Sequence, residues 1–300
     1  MHKPIVYILA ALLAAASAGT GFAEDKNAVA KFYFFHRLNT ARTAPQKAIA
    51  GTGVDPSKVK SFPGQPFWDP DTGVEPVAWN NALYTAAAGH LEDMVSRLYY
   101  SSTGPDGKTE ADRIRSRGYD FVKTGEALGI VAFDKYIGPF EAVDILFSRL
   151  LKEEILSHTP GDRTFLHHEF REAGIAFEAK VVDTGGKAPL NLYLLVADFA
   201  EPVQERSFVT GVYYSDTDLD GWFDPGEELS GVDIVLENFS FGTAASMQTT
   251  PLGGFQFVQD PGIMLLKSKG GAGADKAVRN LFGSGKNRYI QLEKEDRLFY

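Results

Sequence analysis

The spacing of apolar residues changes along the chain from a helical to a strand-like repeat. Apolar side chains recur every three or four positions from Trp79 to Leu98, and again from Val143 to Ile155 after Pro139. This spacing predicts two amphipathic helices. Between them, the run Thr109-Glu110-Ala111-Asp112 is typical of a capping box, so it predicts a short helix that ends near Gly118.

After Gly174 the period of the pattern falls to two. Apolar residues alternate with their neighbours from Ile175 to Val181, a turn is expected at Asp183-Thr184-Gly185-Gly186, and Leu190–Phe199 is a second apolar run. These features predict an antiparallel hairpin. Helices followed by a hairpin favour the α+β class, with a layered α-β-α sandwich in the first domain.

The chain before the first predicted helix has two parts. Residues 24–36 are interpreted as a short lead-in. Ala41 to Pro76 is interpreted as extended segments and loops, because glycines and prolines interrupt it at short intervals.

Beyond Glu201-Pro202, short β-like runs are separated by turn signals. These runs are Phe208–Tyr214, Val232–Glu237, Gly254–Val258, Gly262–Lys267 and Tyr289–Leu292. Their spacing predicts a small antiparallel β-sandwich. The change of architecture places a boundary near residue 205, with a first domain over residues 37–200 and a second over residues 206–300.

The first 23 residues have the pattern of an export signal. Lys3 supplies a positive end, and Ile5 to Ala16 is an apolar run as long as the core of a secretory signal. Cleavage is expected after Ala18 or Ala23, each of which ends a small-x-small triplet. We therefore expect a secreted or periplasmic protein. No later run approaches the roughly 20 apolar residues of a membrane span, so the chain is not expected to cross a membrane.

Charge and cysteine content exclude several function classes. The 300 residues include 30 basic and 39 acidic side chains, for a formal net charge of −9, which disfavours binding to nucleic acid. The chain has no cysteine, so a thiolate metal site and a cysteine nucleophile are excluded. An exported protein without disulfides depends on its cores or on a metal for stability.

The strongest chemical pattern is the acidic run from Asp216 to Glu227. It satisfies D-x-D-x-D-G-x5-E, in which oxygen ligands surround Ca²⁺ and Gly221 permits a sharp turn. The predicted calcium ligands are Asp216, Asp218, Asp220, Trp222 through its carbonyl, Asp224 and Glu227. Five carboxylates so close together repel one another unless a cation lies among them. The alternative is a solvated acidic turn.

Several blocks of the first domain share an order with a known family. They are Leu38-Asn39-Thr40-Ala41-Arg42, Val77-Ala78-Trp79-Asn80, Ala87–Met94, Tyr100–Gly107, Gly125-Glu126, Ser148–Leu156 and Glu172–Ile175. The series resembles bacterial domains of the CAP superfamily, which includes cysteine-rich secretory proteins, antigen 5 and plant pathogenesis-related proteins. The resemblance implies an α-β-α sandwich with a cleft over its sheet.

This chain departs from the family at the cleft. Family members with a full site place two histidines and usually two glutamates there, a set suited to a divalent metal. Here Ser102 occupies the first histidine position and Leu151 the second, whereas Glu126 matches the acid of the family's Gly-Glu-Asn motif. Leucine cannot bind zinc, so the resemblance implies a degenerate cleft without its metal.

Two further histidine groups have alternative interpretations. His90 falls in the family's His-x-x-Asp-Met block, which favours a cleft role, but it shares an apolar stripe with Leu83 and Ala87, which favours a hydrogen-bonded core histidine. The candidate ligand cleft is therefore His90, Ser102, Glu126 and Leu151. His167-His168-Glu169 with Glu172 could supply metal ligands, because His168 and Glu172 are four apart, as on one face of a helix. Nothing else nearby completes such a set, so an exposed polar turn is favoured.

The strands predicted on either side of the acidic run carry a second resemblance. Val209–Tyr214, Leu229–Leu236 and Gly253–Phe257 are similar to calcium-binding prealbumin-like modules of bacterial surface adhesins. This resemblance implies a β-sandwich whose first hairpin is closed by a structural Ca²⁺.

Together these features favour an exported, noncatalytic binding or interaction protein with a degenerate CAP domain and a calcium-stabilised β-module. Its partner would be an extracellular or periplasmic protein, glycan or lipid. One alternative is a metal-dependent hydrolase of the CAP superfamily, which needs a cleft metal. Another is a purely structural component of a surface or matrix.

Overall fold

The chain divides into two compact units. The computed structural model describes residues 24–62, 65–159, 163–183, 189–269 and 275–296. Unit 1 comprises the chain up to Val74 and Trp79–Val203, and unit 2 comprises Glu75–Ala78 and the chain from Gln204. The predicted export signal over residues 1–23 lies outside the described residues. Within the described part, no helix is long and apolar enough to cross a membrane.

Unit 1 contains five α-helices among its described residues. They are α1 (Glu24–Thr43), α2 (Pro45–Ala50), α3 (Asn81–Arg97), α4 (Glu110–Ser116) and α5 (Pro139–Leu156), with a short 3-10 helix at Pro56–Lys58. The three helices predicted from periodicity and capping are confirmed as α3, α4 and α5. Thr109 and Asp112 form the predicted reciprocal capping box at the start of α4.

Helix α1 extends over the residues 24–36 that were interpreted only as a short lead-in. Buried residues follow one another through much of this helix, including Tyr33, Phe34 and Phe35, so no single apolar stripe marks it. Helix α2 corrects part of the expected loop from Ala41 to Pro76. Its proline occupies the first helical turn, where a missing N–H costs nothing.

The sheet of unit 1 has the strand order β1-β3-β4-β2. Its strands are β1 (Ala78–Trp79), β2 (Phe121–Phe133), β3 (Glu172–Val182) and β4 (Leu190–Pro202). Strand β4 pairs antiparallel with both β3 and β2, so the predicted β3–β4 pair is confirmed. Strand β2 was not predicted, because most of its side chains are only half-buried and no apolar alternation results.

Helices lie on both faces of this sheet. Leu91 and Met94 of α3 share a buried cluster that Leu128 of β2 also contacts. A Cβ at the next residue, Gly129, would lie 3.0 Å from Leu146 of α5. Because successive strand residues point to opposite faces, α3 and α5 cover different faces, which gives the expected α-β-α layering.

Gly174 permits the close approach of β3 to α3. A Cβ at this position would lie 1.9 Å from the backbone nitrogen of Tyr84. Only a residue without a side chain can occupy this point of the sheet, which explains why β3 carries a glycine there.

Unit 2 contains seven described strands in two sheets. They are β5 (Ser207–Tyr214), β6 (Asp233–Asn238), β7 (Thr243–Gln248), β8 (Gly254–Gln259), β9 (Gly262–Lys269), β10 (Asp275–Gly283) and β11 (Arg288–Glu293). The sheets have the orders β10-β9-β6-β7 and β11-β5-β8. Residues of both sheets, such as Tyr213, Leu236 and Leu266, form one buried cluster.

Two features of unit 2 differ from the sequence-based expectation. Strands β7 and β10 were not predicted; β7 exposes nearly all of its side chains and has no apolar alternation. Strand β11 pairs parallel with β5, so the expectation of purely antiparallel sheets is wrong there. Apolar alternation does not encode strand direction, which only the tertiary pairing decides.

Candidate functional site

The acidic run forms the connection between β5 and β6 in unit 2. A bridge between Tyr214 and Glu228 joins its two ends, and the backbone N–H of Ser215 donates to the carbonyl of Glu227 at 2.9 Å. The twelve residues are therefore held as a closed loop by backbone pairing at its base.

The loop gathers its carboxylates into two overlapping groups. Ligand oxygens of Asp216, Asp218 and Glu227 lie within 4.8 Å of one another, and so do those of Asp218, Asp220 and Asp224. The structure thus brings together all five carboxylates that the sequence pattern named. The sixth predicted ligand, Trp222, donates its backbone N–H to Asp220 at 2.8 Å.

Backbone hydrogen bonds shape the loop around these carboxylates. Gly221 has a φ of +80°, a left-handed conformation that glycine adopts without strain. Its N–H donates to Oδ2 of Asp216 at 2.9 Å, and the N–H of Asp220 donates to Oδ1 of Asp218 at 3.2 Å. The sharp turn expected at Gly221 is present.

Glu227 is the buried member of the set. Its Oε1 accepts hydrogen bonds from the N–H and the hydroxyl of Thr217 at 2.6 and 2.8 Å, and its Oε2 accepts from the N–H of Asp224 at 3.1 Å. Burial alone would raise the pKa of Glu227, but these hydrogen bonds hold it below its usual value. Glu227 is therefore an ionised carboxylate within the loop.

Asp216 has an oxygen that the loop itself does not satisfy. Its Oδ1 is buried and has no hydrogen-bond partner within the described part of the chain. A buried carboxylate oxygen without a donor is costly. Hard oxygen ligands in this number suit a divalent cation such as Ca²⁺, which binds six to eight oxygens at about 2.3–2.6 Å. The residues present therefore fit calcium.

In unit 1, the structure joins two of the predicted cleft residues directly. Nδ1 of His90, on α3, lies 2.7 Å from Oε2 of Glu126, on β2, and each side chain is only 1% exposed. His90 is thus both a buried, hydrogen-bonded histidine and a contact of the acid in the candidate cleft, so the two interpretations of its sequence context are compatible.

Arg113 of α4 connects a third predicted residue to this pair. Its guanidinium donates to Oε2 of Glu126 at 2.6 Å, to the backbone carbonyl of Ser102 at 3.0 Å and to that of Lys108 at 3.1 Å. Ser102 therefore contributes its backbone carbonyl to this group of contacts, although the residue itself is exposed. Sequence reasoning missed Arg113, although it follows the capping box by one residue.

Leu151, the fourth predicted cleft residue, lies apart from this group. It is 0% exposed and belongs to the buried side of α5. Helix α5 meets β2 at Gly129, which faces away from Glu126 because their positions differ by an odd number. The predicted four-residue cleft is thus split: His90, Glu126 and Ser102 come together, and Leu151 is a core residue of another layer.

A buried acid beside Glu126 was also missed. Asp198 of β4 lies directly opposite Glu126 in the antiparallel register and is 0% exposed. The signal was present in the sequence as a single acidic residue inside the apolar run Leu190–Phe199. A lone carboxylate in a buried strand requires a partner, and that requirement could have identified it.

The histidine pair at residues 167 and 168 does not form the helical metal spacing considered above. Residues 163–171 form turns, and Glu172 begins β3. The expectation of an exposed turn is also wrong for His167, which is buried, with its Nε2 3.0 Å from Nζ of Lys123. Burial, together with the Lys123 cation, lowers the pKa of His167 to about 4. Glu172 instead accepts hydrogen bonds from Asn80 and Tyr119.

Comparisons with known proteins identify one sequence family and several similar solved structures. Residues 35–176 match the sequence model of the cysteine-rich secretory protein family, CAP. An extracellular protein containing an SCP domain from Bacillus anthracis strain Ames is a similar solved structure, at 16% identity and a TM-score of 0.38; the match covers 61% of this chain and 45% of that one. The TIE protein of Bacillus anthracis is similar at 14% identity and a TM-score of 0.22, over 41% of this chain and 24% of that one. This chain thus spans less than half of either protein. No curated protein matches it.

Proposed function

We propose, because residues 35–176 match the sequence model of the cysteine-rich secretory protein family, CAP, that the chain is an exported protein that binds a partner without catalysing a reaction. Export is supported by the signal-like pattern of residues 1–23. The partner would be an extracellular or periplasmic protein, glycan or lipid.

The contacts of Glu126 support a noncatalytic role for the CAP domain. Its Oε2 already accepts from the guanidinium of Arg113 and contacts Nδ1 of His90. A metal ion at this carboxylate would have to displace or repel the Arg113 cation. Ser102 and Leu151 stand at the family's two histidine positions, and Leu151 is enclosed in the core. The residues present do not fit the family's divalent metal, which disfavours a metal-dependent hydrolase.

The second part of the proposal is that unit 2 is a β-sandwich stabilised by Ca²⁺ in its acidic loop. The observation that carries it is that Asp218 belongs to both clusters of three acidic residues in the loop. In addition, the buried Oδ1 of Asp216 has no hydrogen-bond partner among the described residues. Asp216, Asp218, Asp220, Asp224 and Glu227 would hold the ion. Bound calcium would neutralise the loop and hold the β5–β6 connection closed. The module resemblance of the flanking strands favours the same structural role.

Metal analysis of the intact chain tests both parts. After equilibration with calcium and zinc and removal of free metal, we expect calcium at a fixed ratio to protein and no stoichiometric zinc. Asp218→Ala should lose the calcium, because this residue belongs to both carboxylate groups. Asp260→Asn is the matched control, since this exposed acid follows β8 outside the loop, and it should retain the calcium.

Two results would count against the proposal. Zinc retained by the wild type and lost in Glu126→Gln would favour the hydrolase. Calcium that survives in Asp218→Ala would place the ion elsewhere, leaving the run from Asp216 to Glu227 as a solvated acidic turn.

A further inference from the structure

Two buried carboxyl groups, those of Glu126 and Asp198, are neighbours in the sheet of unit 1, and Glu126 contacts His90. We propose that Glu126 and Asp198 bind one proton between them at neutral pH, so that Glu126 keeps its negative charge for Arg113 while Asp198 stays neutral. The site is a proton-binding site, and it stands independently of the calcium loop and of the partner that the CAP domain binds.

The strand register places the two carboxyl groups side by side. Glu126 of β2 and Asp198 of β4 are direct partners in an antiparallel pair, so their side chains leave the sheet on the same face with Cβ atoms about 4.5–5.5 Å apart. The side chains are 1% and 0% exposed. Two ionised carboxylates at this distance, out of contact with water, repel each other strongly, and such pairs hold a proton.

The hydrogen-bond partners of the two carboxyl groups also indicate one bound proton. Both oxygens of Asp198 and Oε1 of Glu126 are buried and have no donor among the residues that the structure describes. Ionised carboxylates can only accept hydrogen bonds, so these oxygens cannot satisfy one another while both residues are charged. One proton converts an Asp198 oxygen into a donor toward Glu126, and a single hydrogen bond then satisfies an oxygen of each residue.

The charged groups around the two carboxyl groups also favour one bound proton. Arg113, from α4, is the cation that contacts Glu126, and Glu110 of the same helix adds a further negative charge near Asp198. On the other neighbouring strand, β3, the residue opposite Asp198 is Gly174, which brings no charge. With one bound proton, the charges of Glu126 and Arg113 balance. Without it, the group holds an unbalanced buried negative charge, which is costly.

The environment of Asp198 acts in the same direction. Burial raises the pKa of Asp198 well above its usual range, the charges of Glu126 and Glu110 raise it further, and the Arg113 guanidinium opposes them.

His90 is the other titratable group that could hold the proton. In an imidazolium both ring nitrogens are donors. Nδ1 of His90 contacts Glu126, but Nε2 is buried and no described residue is its hydrogen-bond partner, so a proton there would leave a buried N–H unsatisfied. A neutral His90 that donates from Nδ1 avoids this cost, which places the proton on the carboxyl pair.

Infrared spectroscopy of the intact chain tests the proposal directly. A protonated carboxylic acid has a carbonyl stretch band distinct from that of carboxylates. At neutral pH we expect the wild type to show a component of this band that shifts when aspartate is labelled with carbon-13 at the carboxyl group. Asp198→Asn should abolish this aspartate-sensitive component, whereas the band of Glu154, whose pKa burial raises to about 7, should remain. Asp144→Asn should keep the aspartate-sensitive component, because Asp144 is a partly exposed acid that pairs with Arg37 on the surface.

The labelling experiment needs no variant, so it remains decisive if Asp198→Asn fails to fold. A wild type without an aspartate-sensitive acid band at neutral pH would overturn the proposal. So would a nitrogen-15 spectrum in which His90 is an imidazolium at neutral pH while both acids are ionised.

Discussion

The carboxylate of Glu154, near the end of α5, accepts the backbone N–H of Leu166 at 2.9 Å. The same carboxylate accepts the N–H groups of Thr164 at 2.7 Å and Phe165 at 2.9 Å. Three successive amides of an irregular segment therefore depend on one buried side chain. Glu154 thus satisfies the backbone donors of a segment that lies between α5 and β3 and is neither helix nor strand.

Replacement of Glu154 by glutamine should destabilise unit 1. Glutamine keeps one acceptor oxygen but turns an N–H₂ group toward the backbone donors, so at least one buried amide loses its partner. The expected cost is about 2 kcal/mol in the free energy of unfolding, measured by denaturant unfolding. Glu153→Gln is the matched control, because Glu153 is the exposed neighbour of Glu154 on α5. This substitution should change the free energy of unfolding by less than about 0.5 kcal/mol. Equal effects of the two substitutions would contradict the assigned role.

The same residue should make stability depend on pH. Burial raises the pKa of Glu154 to about 7, against the opposing effect of the three amide donors. In the unfolded chain the ordinary value is about 4.3. Because the folded state holds the proton more tightly, this contribution is fully present below the unfolded pKa and is lost as the pH rises through about 7. The stability difference between wild type and Glu154→Gln should therefore change between pH 5 and 8. A difference that stays constant over this range would refute the raised pKa.

Calcium should raise the melting temperature of the intact chain. Binding to the folded state alone stabilises it by RT ln(1 + [L]/Kd), which is about 2.7 kcal/mol at one hundred times the Kd. A chelator should lower the melting temperature of the wild type and of Asp260→Asn. Asp218→Ala should melt at a lower temperature than the calcium-loaded wild type, and the chelator should not lower its melting temperature further. The measurement is differential scanning calorimetry with and without calcium. An unchanged wild-type transition in chelator would rule out a structural ion in the loop.

Arg113 should control the segment from Ser102 to Lys108. Its guanidinium bonds both of these carbonyls and the Glu126 carboxylate, which a lysine ammonium cannot reproduce in one geometry. Arg113→Lys should cost about 1–2 kcal/mol and accelerate amide hydrogen exchange in this segment. Arg115→Lys, on the same helix, should leave that exchange unchanged, since Arg115 is exposed and stacks over Phe121. Equal exchange in the two variants would argue against the Arg113 contacts.

Export should remove the start of the chain. We expect the protein recovered from periplasm or medium to begin after Ala18 or after Ala23, because each ends a small-x-small triplet beyond the apolar run. Amino-terminal sequencing of the exported protein is the measurement. A mature protein that still starts at Met1 would show that residues 1–23 are retained.

The sequence by itself determined the features that depend on neighbours along the chain. Helices α3 and α5 follow from apolar spacing, and the start of α4 follows from Thr109 and Asp112, since a cap is made within one turn. The carboxylate loop is local in the same sense. Twelve residues with a glycine at the sixth position can surround one point whatever the rest of the fold does.

Only the tertiary structure decided which distant residues meet. The two positions matched to the family's histidines, Ser102 and Leu151, were expected in one cleft. Leu151 lies instead on α5, which covers the face of the sheet opposite to Glu126. The pairing of Glu126 with Asp198 depends on the register between β2 and β4, and a shift of one residue would turn these side chains to opposite faces. Such register is set by packing and long-range hydrogen bonds, so no local pattern of apolar and polar residues could specify it.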